Sequence, residues 1–401
     1  MRSVEEQQAV VRGLARPMPT EILPLAQAEG RVLARDMFAE VPVPPFTNSS
    51  MDGYAVRAED VVSTPVTLEV VADVPAGCTA IPRIGPGQAA RTMTGAPLAH
   101  GADAVVPVEN TDQPRGAAAL PAQVEIRVAP ERGTFVRPQG QNAAPGDLVL
   151  AAGAELTPAA LSALASTGHA EVEVHRRPRL SIISTGDELV PPGEALQPGQ
   201  IHDSNSFLVA GLARRFGAEV AGVFRATDDG ETFRRTFREA AAEADVVVTT
   251  GGVSVGAFDV VRSVLTEAEF IPVAMQPGKP QASGCLEIDG RSVAFLGLPG
   301  NPVSVFVSAW VFLRELLGAM TGCELPWRKL QLEALEGWNC PSSRRQYIPL
   351  VIDGEGVRPA HAQGSGSHLV ASLVRAHALG VVPADTEQVH AGDRINVYLV
   401  E

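Results

Sequence analysis

The sequence has little of several features that mark large classes of proteins. Of its 32 basic residues only two are lysines, Lys279 and Lys329, and the formal net charge is -14. Nucleic acids and anionic membranes bind positive surfaces, so we expect neither as a partner of this chain. The four cysteines stand far apart without metal-type spacing, which argues against a zinc site.

Long apolar segments are also scarce. The first residues, "MRSVEEQQAV", contain no apolar stretch, and no run of 18 residues is apolar throughout. We therefore expect a cytoplasmic protein with reduced cysteines. The chain has 401 residues, of which 45% are hydrophobic, and a mean hydropathy of +0.08. That length predicts about two to four domains with ordinary cores.

The pattern of apolar and polar residues changes along the chain. Helical spacing runs from Val4 to about Arg16 and again around residues 25–34. From Tyr54 to about Val149, short apolar runs between Gly/Pro clusters predict a small β-domain. The turn-rich end of this segment, "GTFVRPQGQNAAPGDLVL", is expected to return to the first segment, and a helix capped by Thr157 follows.

The second half of the sequence has a different pattern. From Arg179, strands alternate with helices over roughly 145 residues, which predicts a doubly wound α/β domain. After Pro326 short strands return, with one helix near "SHLVASLVRA". The fold class predicted from the sequence is therefore a multidomain α/β plus β protein.

Three loops of the predicted α/β domain combine glycine with polar side chains directly after a strand. They are "STGDEL" (184–189), "TTGGVSVGAFD" (249–259) and "GLPGNPVS" (297–304). In open α/β sheets, ligands bind at the carboxyl ends of the strands, where backbone N–H groups and helix N-termini favour anions. One such loop is often only a tight turn, and the Asp of "GDEL" could be a helix N-cap. Three on one sheet edge predict a site for phosphate or another oxyanion.

Acidic side chains accompany these loops and would repel an anion unless a cation lies between them. They are Asp187 and Glu188, Asp228 in "TDDGE", and Asp259. Mg²⁺ is a hard ion that prefers carboxylate and phosphate oxygens. The sequence therefore predicts a magnesium-dependent phosphate site.

Other segments place polar side chains in turns. "PGKPQASG" holds Lys279 between two prolines, where it could neutralise an oxyanion. "QGSGSHL" is a Gly/Ser-rich turn before a predicted helix, and Arg344 or Arg345 could face it. "PPFTNSSMDGYAVR" and "RTMTGAPL" present Asp52 and Thr94, and each alone is compatible with an interdomain turn.

Eight motifs taken together resemble those of one enzyme family. In chain order they are "PPFTNSSMDGYAVR", "RTMTGAPL", "STGDEL", "IHDSNSF", "TTGGVSVGAFD", "MQPGKP", "GLPGNPVS" and "GSGSHL". The chain resembles molybdopterin molybdenumtransferases, the MoeA family, which includes the E-domain of gephyrin. The resemblance covers essentially the whole sequence.

The resemblance implies an elongated homodimer of four-domain subunits. It implies an N-terminal helix (1–25) on the α/β domain, a connecting domain (26–53 and 141–177), a β-barrel-like domain (54–140), the molybdopterin-binding α/β domain (178–325) and a C-terminal β-barrel (326–401). The active site is expected to combine the α/β domain of one subunit with Asp52 and Thr94 of the other.

The implied reaction is insertion of molybdate into the dithiolene of adenylylated molybdopterin, with release of AMP and a requirement for Mg²⁺. The implied partners are molybdopterin adenylyltransferase and proteins that accept the molybdenum cofactor. The catalytic residues implied are Asp52, Thr94, Glu188, Asp228, Asp259 and Lys279, with Mg²⁺ held by Glu188, Asp228 and Asp259. Those implied to bind the pterin substrate or molybdate are Gly186, Asp187, Ser204, Gly251, Gly252, Ser254, Pro299, Gly300, Pro302, Arg344 and Ser367.

Two positions depart from the family pattern. Gln276 stands where many members have lysine, so one positive charge is missing from the expected molybdate pocket, and Arg344 or Arg345 could compensate. Asn142 stands where aspartate is common in the turn after Arg137.

Three alternatives stay open at this point. The preceding step, adenylylation of molybdopterin, uses a homologous α/β domain with similar "GG" and "GDE" loops, although such enzymes usually stand alone. A gephyrin-like scaffold is another possibility, but no added interaction segment is present. Tungstate has nearly the size and charge of molybdate, so the sequence does not distinguish the two.

Overall fold

A six-stranded sheet forms the centre of the chain. The computed structural model describes residues 1–116, 118–253 and 259–400. The strands are β1 (Arg179–Thr185), β2 (Glu219–Ala226), β3 (Val246–Thr250), β4 (Glu269–Pro272), β5 (Pro280–Ile288) and β6 (Arg291–Leu298). Their spatial order is β2-β1-β3-β6-β5-β4.

The first four strands in that order are parallel, whereas β5 pairs antiparallel with both β6 and β4. The predicted doubly wound sheet is confirmed. Its antiparallel edge was not predicted, because β5 begins inside the Pro- and Gly-containing segment "PGKPQASG", which is typical of a loop.

Helices cover both faces of this sheet. Helices α1 (Val4–Gly13), α2 (Asn205–Arg215) and Pro302–Thr321 pack on one face, and α3 (Gly230–Ala241) and α4 (Val260–Val264) pack on the other. Burial on both faces explains why the central strands β3 and β6 are rich in apolar residues, whereas the edge strand β2 is mostly exposed or half-buried and contains Glu219 and Arg225. Helix α3 shows how a cap fixes a helix start, because the Asp229 carboxylate accepts a hydrogen bond from the Thr232 N–H at 2.8 Å.

The longest helix of the described residues lies in the core. It comprises Pro302–Ser308, a π-helical segment Ala309–Leu313, and Arg314–Thr321. By length and composition this one helix of the described chain is able to cross a membrane, and 89% of its apolar window is buried inside the protein. This helix does not contradict the expectation that no run of 18 residues is apolar throughout, because Arg314 and Glu315 interrupt it. Its composition follows from its burial, since a helix packed on all sides needs largely the same residues as a membrane span.

The first 53 residues pair with the segment that follows the small β-domain. Strand Thr20–Pro24 pairs with Glu171–His175, Met37–Phe38 with Leu148–Leu150, and Asn48–Ser49 with Val136–Arg137. These pairings confirm the predicted return of the chain. A helix at Pro158–Ser166 follows, and its cap, Thr157, accepts a hydrogen bond from the Ala160 N–H at 3.2 Å.

The helix predicted around residues 25–34 is wrong. Only Leu25–Gln27 forms a 3₁₀ turn. Val32 and Leu33 instead form β-bridges with Glu155 and Val174. Their backbone N–H and C=O groups therefore bond to distant segments rather than within a helix.

A five-stranded sheet occupies the segment predicted as a small β-domain. Its strands, in spatial order, are Ala104–Pro107, Gly53–Val56, Gln88–Thr92, Val66–Val74 and Gln123–Ile126, with 3₁₀ turns at Ala58–Val61 and Val108–Asn110. Tyr54, Leu68 and Ile126 are fully buried in its core.

The C-terminal strands close into a five-stranded barrel. They are Lys329–Ala334, Arg345–Asp353, Gly356–Pro359, Ala378–Val382 and Arg394–Leu399, and closure occurs because Arg345–Asp353 pairs on both sides. Shorter strands pair as Trp338–Asn339 with Gln388–Val389 and Leu189–Val190 with Ile201–His202, and Val370–Arg375 is a 3₁₀ helix. Met275–Gln276 adds to the barrel edge beside Arg345, which brings the α/β region and the barrel together.

Candidate functional site

The three glycine-containing loops meet at the carboxyl edge of the central sheet. Gly251 has a positive φ of 95°, and a Cβ there would lie 2.9 Å from Thr185 Oγ1 and 3.0 Å from the Thr185 carbonyl oxygen. A Cβ on Gly300 would lie 3.5 Å from Gly251 Cα. The backbones of all three loops are therefore in close approach, and Gly251 is required for it.

The acidic residues of these loops lie at the same edge. We use the name acidic edge for Asp187, Glu188, Asp228 and Asp259. The Asp228 N–H donates to Asp187 Oδ1 at 3.2 Å, so the loops after β1 and β2 are in contact. Gly186 is buried beside them, whereas Asp187, Glu188 and Asp228 are exposed.

The second loop carries Asp259 at the start of helix α4. Gly252 has a φ of 69°, and a Cβ there would lie 3.3 Å from Asp259 Oδ1 and would collide with Val261. Asp259 is half-buried in the N-cap position. Ser254, predicted to bind the substrate, lies outside the described residues.

The third loop connects the acidic edge to the C-terminal barrel. The Asn205 Nδ2 atom donates to the Gly300 carbonyl at 2.7 Å, and Asn301 Nδ2 donates to Ser367 Oγ at 3.0 Å. The Val303 N–H donates to the Ser367 carbonyl at 3.0 Å. Pro299 is buried and Pro302 begins the long helix, so this loop is fixed at both ends.

A cavity of about 430 Å³ opens on the barrel side of this loop. We call it the oxyanion pocket. It is lined by Met275, Gln276, Pro277, Gly278, Lys279, Pro280, Asn301, Ser304, Arg344, Ser365, Gly366, Ser367 and His368. The structure thus brings together "MQPGKP", "LPGNPVS" and "GSGSHL", as well as the predicted Lys279, Arg344 and Ser367.

The loop that carries Lys279 is held by buried hydrogen bonds. Gln281 is buried, and its Nε2 donates to the Gly278 carbonyl and to Ser308 Oγ, both at 2.7 Å. The Lys279 carbonyl accepts from the Val273 N–H at 2.7 Å. The Lys279 side chain itself is exposed. Its backbone is therefore fixed while its ammonium group is accessible to an anion in the pocket.

The structure decides which arginine could compensate for Gln276. Arg344 lines the oxyanion pocket together with Gln276. Arg345 instead donates to Glu5 Oε1 at 2.6 Å and lines a different cavity. The Oε1 atom of Gln276 is buried without a hydrogen-bond partner, so its amide has acceptor capacity unused inside the protein.

Metal binding by the acidic edge stays a prediction. Within residues 1–116, 118–253 and 259–400, no three His, Cys, Asp or Glu side chains are close enough to form a metal site. The neighbouring Asp229 caps helix α3 instead. Its carboxylate accepts a hydrogen bond from the Thr232 N–H, and this bond lowers the pKa of the Asp229 carboxyl. Carboxylate oxygens remain the chemically suitable ligands for Mg²⁺.

Asp52 and Thr94 form a pair at the five-stranded sheet. Asp52 Oδ1 accepts from the Thr94 N–H at 2.6 Å and from Thr94 Oγ1 at 2.9 Å. Asp52 also lines a cavity of about 570 Å³ beside the ion pair of Asp73 and Arg91. The structure brings the two motifs into direct contact, and a contribution to the partner's active site stays a prediction.

Residues that sequence reasoning missed hold the loops in place. From "IHDSNSF" we selected Ser204, which is exposed and makes no capping hydrogen bond, whereas its neighbour Asn205 contacts Gly300. Asn301 and Gln281 were missed in the same way. The available signal was an amide side chain within or next to a motif, since Gln281 and Asn301 accompany glycine-containing loops and Asn205 lies in "IHDSNSF".

Comparisons with known proteins match the whole length of the chain. Residues 2–168 match the MoeA N-terminal region (domain I and II), 181–319 a probable molybdopterin binding domain, and 331–400 the MoeA C-terminal region (domain IV). The chain belongs to the MoeA family. The family models cover the three segments that supply the acidic edge, the oxyanion pocket and the Asp52–Thr94 pair.

Individual relatives agree with this assignment. Molybdopterin molybdenumtransferase 2 of Mycobacterium tuberculosis H37Rv is 39% identical, with 99% of each chain covered. Molybdopterin molybdenumtransferase of Nostoc sp. is 36% identical, covering 94% of this chain and 88% of the relative. The solved molybdopterin biosynthesis MoeA protein of Pyrococcus horikoshii OT3 matches with a TM-score of 0.85 and 27% identity over 100% of both chains.

Proposed function

We propose that this chain is a molybdopterin molybdenumtransferase, a transferase of molybdenum-cofactor biosynthesis that inserts molybdenum into molybdopterin. The likeness to relatives of that name over nearly the full chain carries this conclusion. In finer detail, the proposed substrates are adenylylated molybdopterin and molybdate, and AMP is the proposed leaving group.

The proposed substrate site extends from the acidic edge to the oxyanion pocket. Support comes from the loop 299–302, which contacts Gly251 on one side and Ser367 on the other. The bare backbone at Gly251 and Gly252 leaves room for phosphate groups. Lys279, Arg344 and Ser367 offer two cations and a hydroxyl to molybdate.

Glu188, Asp228 and Asp259 are the proposed Mg²⁺ ligands. Their carboxylate oxygens suit a hard cation, and these side chains would hold it beside the phosphate of the substrate. Bound Mg²⁺ supplies charge neutralisation at the phosphate of the departing AMP. The protein residues orient that phosphate and hold it beside the loops.

The proposed assembly is a cytoplasmic homodimer in which Asp52 and Thr94 serve the active site of the other subunit. The hydrogen-bonded pair faces solvent on a sheet distinct from the acidic edge, which supports a role toward a second chain. Molybdopterin adenylyltransferase is the proposed supplier of substrate, and molybdoenzymes are the proposed acceptors of product.

Release of AMP from adenylylated molybdopterin, followed with and without molybdate and Mg²⁺, tests the proposal. We expect AMP only when both are present. Formation of adenylylated molybdopterin from ATP would instead support the adenylyltransferase alternative. No turnover by an intact dimer under either condition would favour a scaffold, and parallel assays with tungstate test the choice of oxyanion.

A further inference from the structure

A second basic cavity lies away from the proposed active site. Its volume is about 150 Å³, and it opens where the 30–32 turn, the 175–177 segment, the end of helix α2 and residues 321–325 meet. The charged residues that line it are Arg31, Arg177, Arg214, Arg215, His175 and Glu155. Four arginines and one acidic residue line this cavity, in a chain whose net charge is -14.

Most of these arginines have no carboxylate partner. Among the described residues, no ion pair includes Arg177, Arg214 or Arg215. In contrast, Arg176 and Arg179 are paired with acids. Guanidinium groups that converge without counter-charges repel one another, and an anion between them would relieve that repulsion.

Arg31 gives an independent indication. Its side chain is only 10% exposed, and its Nη2 donates to Glu21 Oε1 and to the His175 carbonyl. Its Nε is buried and has no hydrogen-bond partner. A buried charged group with an unused donor is costly unless something else compensates it.

Helix electrostatics explain only part of the cluster. Arg214 and Arg215 occupy the last turn of α2, where the helix dipole favours cations, and Arg215 also lies 5.4 Å from the centre of the Trp310 ring. Arg31 and Arg177 come from another part of the chain, so the dipole gives no reason for their presence in the same cavity.

We propose that this cavity binds a free tetrahedral dianion of the phosphate class, with Arg177 and Arg214 as its principal charged ligands. The volume is below the range of about 300–1,000 Å³ that is typical for drug-sized ligands, which leaves room for an inorganic anion but not for a nucleoside. The bound anion joins the 175–177 segment to the end of α2, and it thereby stabilises the packing of the connecting segment on the α/β region.

Isothermal titration calorimetry with inorganic phosphate, at constant ionic strength, tests this site. All proteins carry Arg344→Gln, which weakens phosphate binding in the oxyanion pocket. We expect saturable binding in this background, and we expect Arg177→Gln/Arg214→Gln to weaken it about tenfold or more. The charge-matched control, Arg234→Gln/Arg235→Gln on the exposed side of α3, should bind as the background does.

Three results would overturn the proposal. They are absence of saturable phosphate binding in the background protein, equal affinity in the Arg177/Arg214 variant, or equal weakening in both double variants, which would reflect net charge alone. Thermal unfolding of each variant in chloride confirms that it is folded. The AMP-release assay is independent of this titration, so failure of one proposal is distinguishable from failure of the other.

Discussion

The acidic edge and the oxyanion pocket lie on opposite sides of one loop, yet the chain builds them in different ways. The acidic edge uses residues that follow parallel strands. The loops after β1 and β2 bring Asp187 and Asp228 into contact, and Asp259 stands at the start of helix α4, which follows β3. The oxyanion pocket needs the short strand Met275–Gln276, which pairs with the barrel, together with the loop at Lys279 and the turn at Ser367. The acidic edge is predictable from the strands of one sheet, whereas the oxyanion pocket forms only where the α/β region and the barrel are in contact.

The largest expected effect distinguishes two acids of the acidic edge, Asp228 and Asp259, from Asp229, which lies next to Asp228 but caps helix α3. Asp228→Ala or Asp259→Ala should lower Mg²⁺-dependent AMP release by roughly 100-fold or more, because each removes a carboxylate that we propose as a Mg²⁺ ligand. Turnover is measured over a Mg²⁺ titration, with circular dichroism to confirm folding.

Asp229→Ala is the matched control for that experiment. Asp229 caps helix α3 and accepts from the Thr232 N–H, so its loss should lower the midpoint of thermal unfolding but leave turnover nearly unchanged. Wild-type turnover in both Asp228→Ala and Asp259→Ala would remove the metal assignment.

The backbone of the acidic edge is the next target. Gly252→Ala should destabilise the protein by about 3 kcal/mol, because the residue has a positive φ and its Cβ would collide with Val261. Gly193→Ala, whose φ is 95° and whose Cβ would meet nothing within 4 Å, should cost about 1 kcal/mol from backbone strain alone. Urea unfolding measures both, and equal losses would mean that close packing at Gly252 does not matter.

The contrast between the two regions also explains how far sequence reasoning reached. Apolar runs in the sequence predicted the central strands of the sheet. The rule that ligand sites lie at the carboxyl ends of such strands then predicted where the acidic residues would lie. Residues 25–34 show the limit of local patterns, because pairing of Val32 and Leu33 with distant segments replaced the predicted helix.

Local sequence patterns could not predict the oxyanion pocket. Nothing local to Lys279 indicates that Arg344 and Ser367 will stand beside it, and the resemblance to a family supplied that expectation. Even then Arg344 and Arg345 were equivalent in sequence. The ion pair between Arg345 and Glu5 distinguishes them, and it depends on where helix α1 packs.

A moderate effect is expected from restoring charge to the oxyanion pocket. Gln276→Lys should lower the molybdate concentration for half-maximal AMP release about tenfold, and Arg344→Gln should raise it about tenfold, since each changes one charge at a partly exposed site. Arg345→Gln is the control and should leave it unchanged, because Arg345 pairs with Glu5 outside this pocket. A shift with Arg345→Gln equal to that with Arg344→Gln would contradict the distinction between them.

The smallest expected signal comes from a third region, the Asp52–Thr94 pair. The experiment tests whether this pair and the acidic edge of the other subunit form one active site. Asp52→Ala and Asp259→Ala homodimers should each be nearly inactive. After unfolding and refolding together, half of the dimers would be mixed, and one of the two sites in each would carry both native residues. Recovery of about a quarter of wild-type AMP release is then expected. If both residues act within one subunit, each mixed dimer has two damaged sites, and the refolded mixture stays as inactive as its parents.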